Sequence, residues 1–399
     1  MRTWTSLVLL VALLPLLILA QVRLAPVVFS VEDVVRMQQL ATLEFPWGMA
    51  FLPDGRLLVT EKPGRLRIYD YNGLSEPLDG LPAISYRESP SEQGGLLDVA
   101  VDPDFALTRH IYLSYIEEAP PPGIAPVETG DPRFTSLDRT DNRVRGGVVM
   151  RATLNDTRVS DVQVIWRQEP KTIGRGHFDH RLVFGRDRTL FITSGDRMRF
   201  DPAQDMTSNL GKVVRINRDG TIPKNNPFVN RTGARPEIWS LGHRDMLAAA
   251  VHPGNGRLWV FEMGPLGGDE LNIIKRGKNY GWPVVSDGDN YDTSVIPDHS
   301  TDKDFERPAR TWTPVISPSG ALFYRGGMFP WRGNVIVGGL SSQALIRLTV
   351  EGDKVIDEER IDMGRRIRDV LEAPDGSLLV VTDAKDGELL RLTPKRAYN

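Results

Sequence analysis

Arg56-Leu-Leu-Val-Thr60 is the first of six short apolar runs that return along the chain. The others are His110-Ile-Tyr-Leu-Ser114, Thr189-Leu-Phe-Ile-Thr193, Arg257-Leu-Trp-Val-Phe261, Asn334-Val-Ile-Val-Gly338 and Ser377-Leu-Leu-Val-Val381. Runs of this length, bounded by Pro, Asp and Gly, are strands and not helices. Working outward, each is followed by a small-residue break and a partner run. Gly64-Arg-Leu-Arg-Ile68, Gly147-Val-Val-Met-Arg151, Gly211-Lys-Val-Val-Arg215, Ala344-Leu-Ile-Arg-Leu348 and Gly387-Glu-Leu-Leu-Arg391 are such partners. The spacing of the first runs varies from 43 residues (Asn334 to Ser377) to 79 (His110 to Thr189). A unit that recurs with variable insertions is a blade of four antiparallel strands, and six of them predict an all-β, six-bladed β-propeller over residues 38–396.

Composition agrees with one large domain, since 399 residues with 40% hydrophobic and 25% charged content can bury a large core. The formal charge of −3 is spread without long like-charge runs. No basic patch interleaved with aromatics follows a nucleic-acid backbone, so nucleic acid is excluded as a partner. Arg2 stands ahead of an apolar run from Leu7 to Ala20, and residues 1–25 read as an export signal, which places the protein in the periplasm or outside the cell. Ile18 sits where a signal peptidase prefers a small residue, and the run is nearly long enough to span a bilayer. An uncleaved N-terminal anchor, with membrane association through it, is therefore the other reading. Without Cys there is neither a disulfide nor a thiolate metal site.

Long insertions carry the chemistry, because rigid blades hold them over a central channel. Two stand out, Glu117 to Arg145 and Tyr280 to Trp312. In Gly174-Arg-Gly-His-Phe-Asp-His-Arg-Leu-Val-Phe-Gly185, two of the six histidines lie beside an Asp and two Arg. His177 can accept a proton near neutral pH if a carboxylate steadies its other nitrogen, and Asp196 is the candidate; the plainer reading is a structural hydrogen bond. Ser240-Leu-Gly-His-Arg-Asp245 and Gly364-Arg-Arg-Ile-Arg-Asp369 concentrate cations. In an extended segment Arg366 and Arg368 share a face and suit a carboxylate-bearing ligand, or else a salt bridge to Asp369 or Glu372. Glu262-Met-Gly-Pro-Leu-Gly-Gly-Asp-Glu-Leu-Asn272 and Gly277-Lys-Asn-Tyr-Gly-Trp-Pro283 combine bent backbone with Asp269 and Glu270, which suits calcium or an acid-capped turn.

Taken in order, Pro46-Trp-Gly-Met-Ala-Phe, Gln93-Gly-Gly-Leu-Leu-Asp, His177-Phe-x-x-Arg-Leu-Val-Phe, Gly242-His-Arg, Gly264-Pro-x-Gly-Gly-Asp-Glu, Gly277-Lys-Asn-Tyr-Gly-Trp-Pro and Arg366-Ile-Arg-Asp-Val resemble the soluble aldose sugar dehydrogenases that depend on pyrroloquinoline quinone (PQQ). The resemblance runs from about residue 40 to about 393. It implies oxidation of an aldose sugar to a lactone by hydride transfer to PQQ, with an electron acceptor still to be identified. It makes His177 the general base, with Asp196 and Arg244 beside it in the catalytic set. It assigns Gln93, Arg244, Asp245, Tyr291, Arg366 and Arg368 to the cofactor. It assigns one calcium, which polarises the quinone, to the main-chain carbonyls of Gly264 and Pro265. A second, structural calcium falls to Glu270 and Tyr280.

The sequence departs from the family pattern at four places. Asp245 stands where Gly-His-Arg is usually followed by Asn, Ser341 where a Lys is usual, Met263 where His is common, and Leu266 where a polar residue is frequent. Two of these leave a tricarboxylate pocket less positive by two charges, with Arg365, Arg175 and His180 the candidates to offset them. The alternatives to a dehydrogenase are a quinone-free propeller that binds carbohydrate or protein, and a calcium-dependent lactonase.

Overall fold

The computed structural model describes residues 26–89, 92–121 and 141–395, so the expected export segment and most of the first long insertion lie outside the described residues. Six antiparallel blades follow one another along the chain. Their innermost strands are Pro46–Phe51, Leu96–Val101, Asp179–Phe184, Asp245–Val251, Pro318–Phe323 and Ile367–Glu372, which contact one another in a closed ring. The structure is thus the six-bladed propeller expected. Val35–Leu43 supplies the outer strand of the last blade by pairing with Gly387–Pro394, so the two ends of the chain close the ring together. Ahead of it, Val27–Ser30 lies parallel to Lys354–Asp362 as a fifth strand of blade five. Among the described residues no helix is long and apolar enough to cross a membrane.

The runs that decided the fold are the second strands of their blades, and a further strand precedes each on the channel side. Packing explains why they stood out. Leu57–Glu61, Leu190–Ser194, Val335–Gly339 and Leu378–Thr382 are buried at every residue, because a neighbouring blade covers each of their faces. Outer strands such as Val159–Arg167 are largely exposed and read as polar sequence. Six apolar clusters fill the six interfaces between blades. Burial is thereby spread around the ring.

Each innermost strand begins with a break in register against its neighbour, at Pro46/Met49, Leu96/Val99, Asp179/Leu182, Asp245/Ala248, Pro318/Gly320 and Ile367/Asp369. A bulge re-aims side chains and frees backbone groups from the ladder. Repeated six times, it makes one mouth of the channel the place where side chains converge.

Below that mouth Arg181 plugs the channel. Its Nε donates to the Leu247 carbonyl at 2.7 Å, and its Nη2 donates to the carbonyls of Ser319 and Arg368. Its Nη1 lies 3.3 Å from Asp98 and 3.1 Å from Asp369, and the guanidinium stacks 4.1 Å from the Trp47 ring. Asp98 also accepts the Leu182 amide at 2.8 Å, and Asp369 the Met49 amide at 3.0 Å. All six blades are joined through one buried cation. Its removal is strongly destabilising, because two buried carboxyls lose their partner.

Burial drives Asp369 up to about 7, with Arg181 opposing and Asp98 adding to the rise. A carboxyl raised above its unfolded value contributes stability that is full below the unfolded pKa and lost as pH climbs through the folded one. Arg181→Met is therefore expected to cost ~3–5 kcal/mol at pH 8 and distinctly less at pH 5, where the carboxyls hold protons. Denaturant unfolding at the two pH values checks this; equal losses at both would show that the plug acts by packing and not by charge.

Candidate active site

His177 sits just ahead of the bulge that opens the third blade, and His177, Asp179 and His180 all adopt left-handed backbone with φ of 49°, 62° and 66°. Non-glycine residues in that region are strained, and the surrounding bonds hold them there. Gln93 Oε1 accepts the His177 amide at 2.7 Å. The ring's Nδ1 meets Asp196 Oδ1 at 2.6 Å, and Asp196 is fixed further by the Met198 amide and by the Trp282 indole N–H, each at 2.8 Å. A Cβ at Gly195 would run into the His177 carbonyl, so only glycine lets the two segments approach. Burial works to raise Asp196, but His177, Arg244 and the Met198 amide outweigh it and keep the carboxyl below its ordinary value. An ionised Asp196 takes the Nδ1–H and leaves the Nε2 lone pair for chemistry.

Beside this pair a cavity of about 310 Å³ opens at the channel mouth, lined among others by Trp47, Phe178, Leu247 and Leu340 on its apolar side. Its polar side holds Lys62, Gln93, Arg366, Arg368 and the acids Glu92, Asp179, Asp245 and Asp383, with Glu92 paired to Arg145 at 3.0 Å. Arg366 and Arg368 do share a face, and both grip a carboxylate, Asp383, at 3.0 Å each. Neither Asp369 nor Glu372 takes that place. Lys62 lies 4.0 Å from the same Asp383 and donates to the Glu92 carbonyl at 3.1 Å. Burial lowers Lys62 to about 8 against the pull of Asp383. Burial raises Asp383, but Arg368, Lys62 and Arg366 together hold it well below the usual range.

Lys62 and Asp383 were not singled out in the sequence. Both directly follow the second strand of a blade, as Gly264 does in blade four. That shared position was the available signal. Three cations around one carboxylate leave positive charge to spare, and with the Gln93 amide they fit a tricarboxylate cofactor such as PQQ. The expected substitutes for the missing lysine lie elsewhere: Arg365 binds Glu388, Arg175 binds Ser89, and His180 is buried against the Thr193 carbonyl. Burial and Arg197 push His180 down to about 3, so it carries no charge. Ser341 is exposed and bonds Ser317 Oγ at 2.7 Å at the cavity's edge.

Arg244 lies beyond the Met263 side of that cavity, in a small recess with Gly264 and Trp282. Its Nη1 donates to the carbonyls of Met263 and Gly264 at 2.9 and 3.0 Å, and its Nη2 to the Tyr291 hydroxyl at 3.1 Å. Arg244 and Tyr291 thus meet, although 47 residues separate them. The Gly264 carbonyl joins Pro265 in a turn that Asp269 fixes by accepting the Gly264 amide at 2.9 Å. Carbonyl oxygens are the hard ligands that calcium takes, and a calcium here would share the Gly264 carbonyl with Arg244. Asp245 is buried beneath the cavity, 3.7 Å from His177 Nε2.

Glu270 and Tyr280 fit a metal less well. The Tyr280 hydroxyl donates to the Ile273 carbonyl at 2.8 Å and accepts the Lys275 amide at 2.9 Å. The Tyr280 carbonyl meets His299 Nε2 at 3.0 Å, while His299 Nδ1 lies 3.7 Å from Glu270 and 3.4 Å from Asp287. Burial opposes a charged imidazole here, but Asp287 and Glu270 prevail and raise His299 to about 9. The His299 ring already fills the gap between the two. Among the described residues no group of three or more His, Asp or Glu side chains is arranged to hold a metal.

An imidazole steadied by a carboxylate beside a cation-lined cavity makes this propeller an enzyme scaffold. The chain belongs to the glucose/sorbosone dehydrogenase family, whose profile matches residues 43–391. Aldose sugar dehydrogenase YliI of Escherichia coli (strain K12) is 40% identical over 362 residues, covering 88% of this chain and 91% of its own. Quinoprotein glucose dehydrogenase B of Acinetobacter calcoaceticus is 28% identical over 460 residues, covering 94% and 91%. Among solved structures, the PQQ-bound aldose sugar dehydrogenase from Streptomyces coelicolor superposes with a TM-score of 0.69 at 26% identity, covering 93% of this chain and all of its own (100%).

The His299 arrangement predicts its own test. His299→Ala leaves Glu270 and Asp287 without a cation and is expected to cost ~3–5 kcal/mol in chelator. Calcium at millimolar concentration should then raise the variant's melting temperature more than the native protein's, because the vacated gap offers oxygen ligands. Thermal melts of both proteins in calcium and in chelator decide the point. An equal calcium response in both would mean that a cation binds beside His299 and does not compete with it.

Proposed function

We propose that the protein is an exported dehydrogenase that oxidises aldose sugars at the anomeric carbon to lactones, using PQQ and calcium. The observation that carries this reading is the His177 and Asp196 pair beside a cavity with three cations, within a chain of the glucose/sorbosone dehydrogenase family. PQQ, when bound, supplies the two-electron acceptor for the hydride. Lys62, Arg366, Arg368 and Gln93 would hold its carboxylates, with the Arg244 and Tyr291 pair as further contacts beyond Met263. The carbonyls of Gly264 and Pro265 would hold the calcium that polarises it.

The chain's own chemistry is proton transfer. His177 Nε2 takes the proton of the anomeric hydroxyl while the C–H pair leaves the anomeric carbon as hydride, and the carbonyl of the lactone forms from the C–O bond. Asp196 keeps the proton on Nδ1 beforehand and stabilises the imidazolium afterwards. Trp47, Phe178 and Leu247 give the cavity a dry side, on which charge interactions are strong.

His177→Gln should leave PQQ binding within a few-fold of native and lower turnover by ~10²–10⁴, the usual range for a lost general base. Titration of the apoprotein with PQQ and calcium, followed by absorption spectroscopy with and without aldose, measures both quantities. A His177→Gln protein that turns over at the native rate would remove the mechanism, and a native protein whose bound quinone no aldose reduces would remove the function.

A further inference from the structure

Asp245 departs from the family pattern, and the structure gives the departure a partner. Asp179, on the innermost strand of the third blade, and Asp245, on that of the fourth, are both buried where those two strands pack together. Asp179 Oδ2 accepts the Met246 amide at 2.7 Å. The Oδ1 atoms of both residues are buried with no hydrogen-bond partner. Two carboxylates in contact cannot both ionise, and one proton held between them satisfies both orphaned oxygens at once. Burial and the Asp245 charge raise Asp179 well above its ordinary value, in keeping with that proton.

The remaining negative charge of the pair faces His177. Asp245 Oδ2 lies 3.7 Å from Nε2, the nitrogen opposite the one that Asp196 holds. The other charged groups around the pair are Asp196, and Arg244, whose guanidinium turns away to the carbonyls of Met263 and Gly264 and to Tyr291. Lys62, Arg366, Arg368 and Asp383 line the same cavity. We propose that Asp245, sharing a proton with Asp179, is a positioning residue that flanks His177 on its reactive side and stabilises the imidazolium formed in the reaction. The inference rests on His177 being the base. It also recasts the departure at residue 245: the pair carries one negative charge between two carboxyls, and that charge is directed at the base.

Two measurements test it, one of which needs no cofactor. Unfolding at pH 6 ionises both carboxyls, so the native apoprotein should release about one more proton than Asp245→Asn, whose amide can donate to Asp179 and lets it stay ionised when folded. Calorimetry in buffers of different ionisation enthalpy counts the protons, and contributions from Asp98 and Asp369 cancel between the two proteins. In the PQQ-loaded protein, the acid limb of aldose-dependent quinone reduction should move down by about one pH unit in Asp245→Asn, because the imidazolium loses its second carboxylate. In Asp179→Asn the limb should stay or move up, because Asp245 then carries a full charge.

A purely structural role would not move the two limbs apart. Equal proton release by native and Asp245→Asn proteins overturns the shared proton, and should Asp245→Asn not fold, Asp179→Asn supplies the same count. Unequal release with coincident acid limbs overturns the action on His177. Unequal release in a protein whose quinone no aldose reduces would instead leave the carboxyl pair standing and remove the dehydrogenase reading on which its role depends.

Discussion

Arg181 is the hub on which the site depends. Its guanidinium bonds carbonyls or carboxylates of four other blades and stacks on a ring of the remaining one, within a channel that would otherwise be a water-filled pore. Inter-blade burial alone would hold the six sheets together but would leave their angular spacing soft, because apolar contact is non-directional. Hydrogen bonds to a planar, permanently charged fork are directional. The plug also separates the cavity that holds the candidate chemistry from a second opening of about 540 Å³, lined by Arg186 and Arg325, at the other end. The first cavity is therefore a pocket with a floor.

Above the plug, the six register breaks do for the site what the plug does for the ring. A regular antiparallel ladder would point alternate residues into the blade interfaces and leave its backbone groups paired. Breaking it at the start of each inner strand frees amides for carboxylates: Met49 for Asp369, Leu182 for Asp98, Met246 for Asp179. Buried acids at the mouth are thus anchored by the backbone of the next blade. This is how the mouth tolerates so much ionisable chemistry with little water, since each buried charge has a donor or an opposite charge in reach.

Charge in the mouth is divided by location. On the wall formed by blades one and six, Lys62, Arg366 and Arg368 surround Asp383 and leave a positive surplus. At blades three and four, Asp196, Asp179 and Asp245 surround His177 and leave a negative one. An anionic cofactor and a proton acceptor need opposite fields, and placing them on different blades keeps each from neutralising the other. His299 shows the same economy one layer out, where an imidazolium between Glu270, Asp287 and the Tyr280 carbonyl supplies positive charge from the chain itself.

The sequence by itself determined the propeller, because the second strand of each blade is covered on both faces and so must be apolar without interruption. It also determined the neighbourhood of His177 and Asp196, which sit 19 residues apart, one just before the first strand of a blade and one just after its paired second strand, so local pairing brings them together. Tertiary structure decided the rest. Lys62 and Asp383 meet only because the ring closes blade six against blade one, and Asp179 meets Asp245 only because two bulges face each other across an interface. The ionic partner of Arg366 and Arg368 is set the same way: the acids next to them in sequence, Asp369 and Glu372, point along the strand into the channel plug and toward Arg325, while Asp383 returns from the neighbouring strand's end. Contacts within a blade follow from strand order and are legible in one dimension. Contacts across the channel depend on how many blades close the ring and where each strand breaks register, which is a property of the whole.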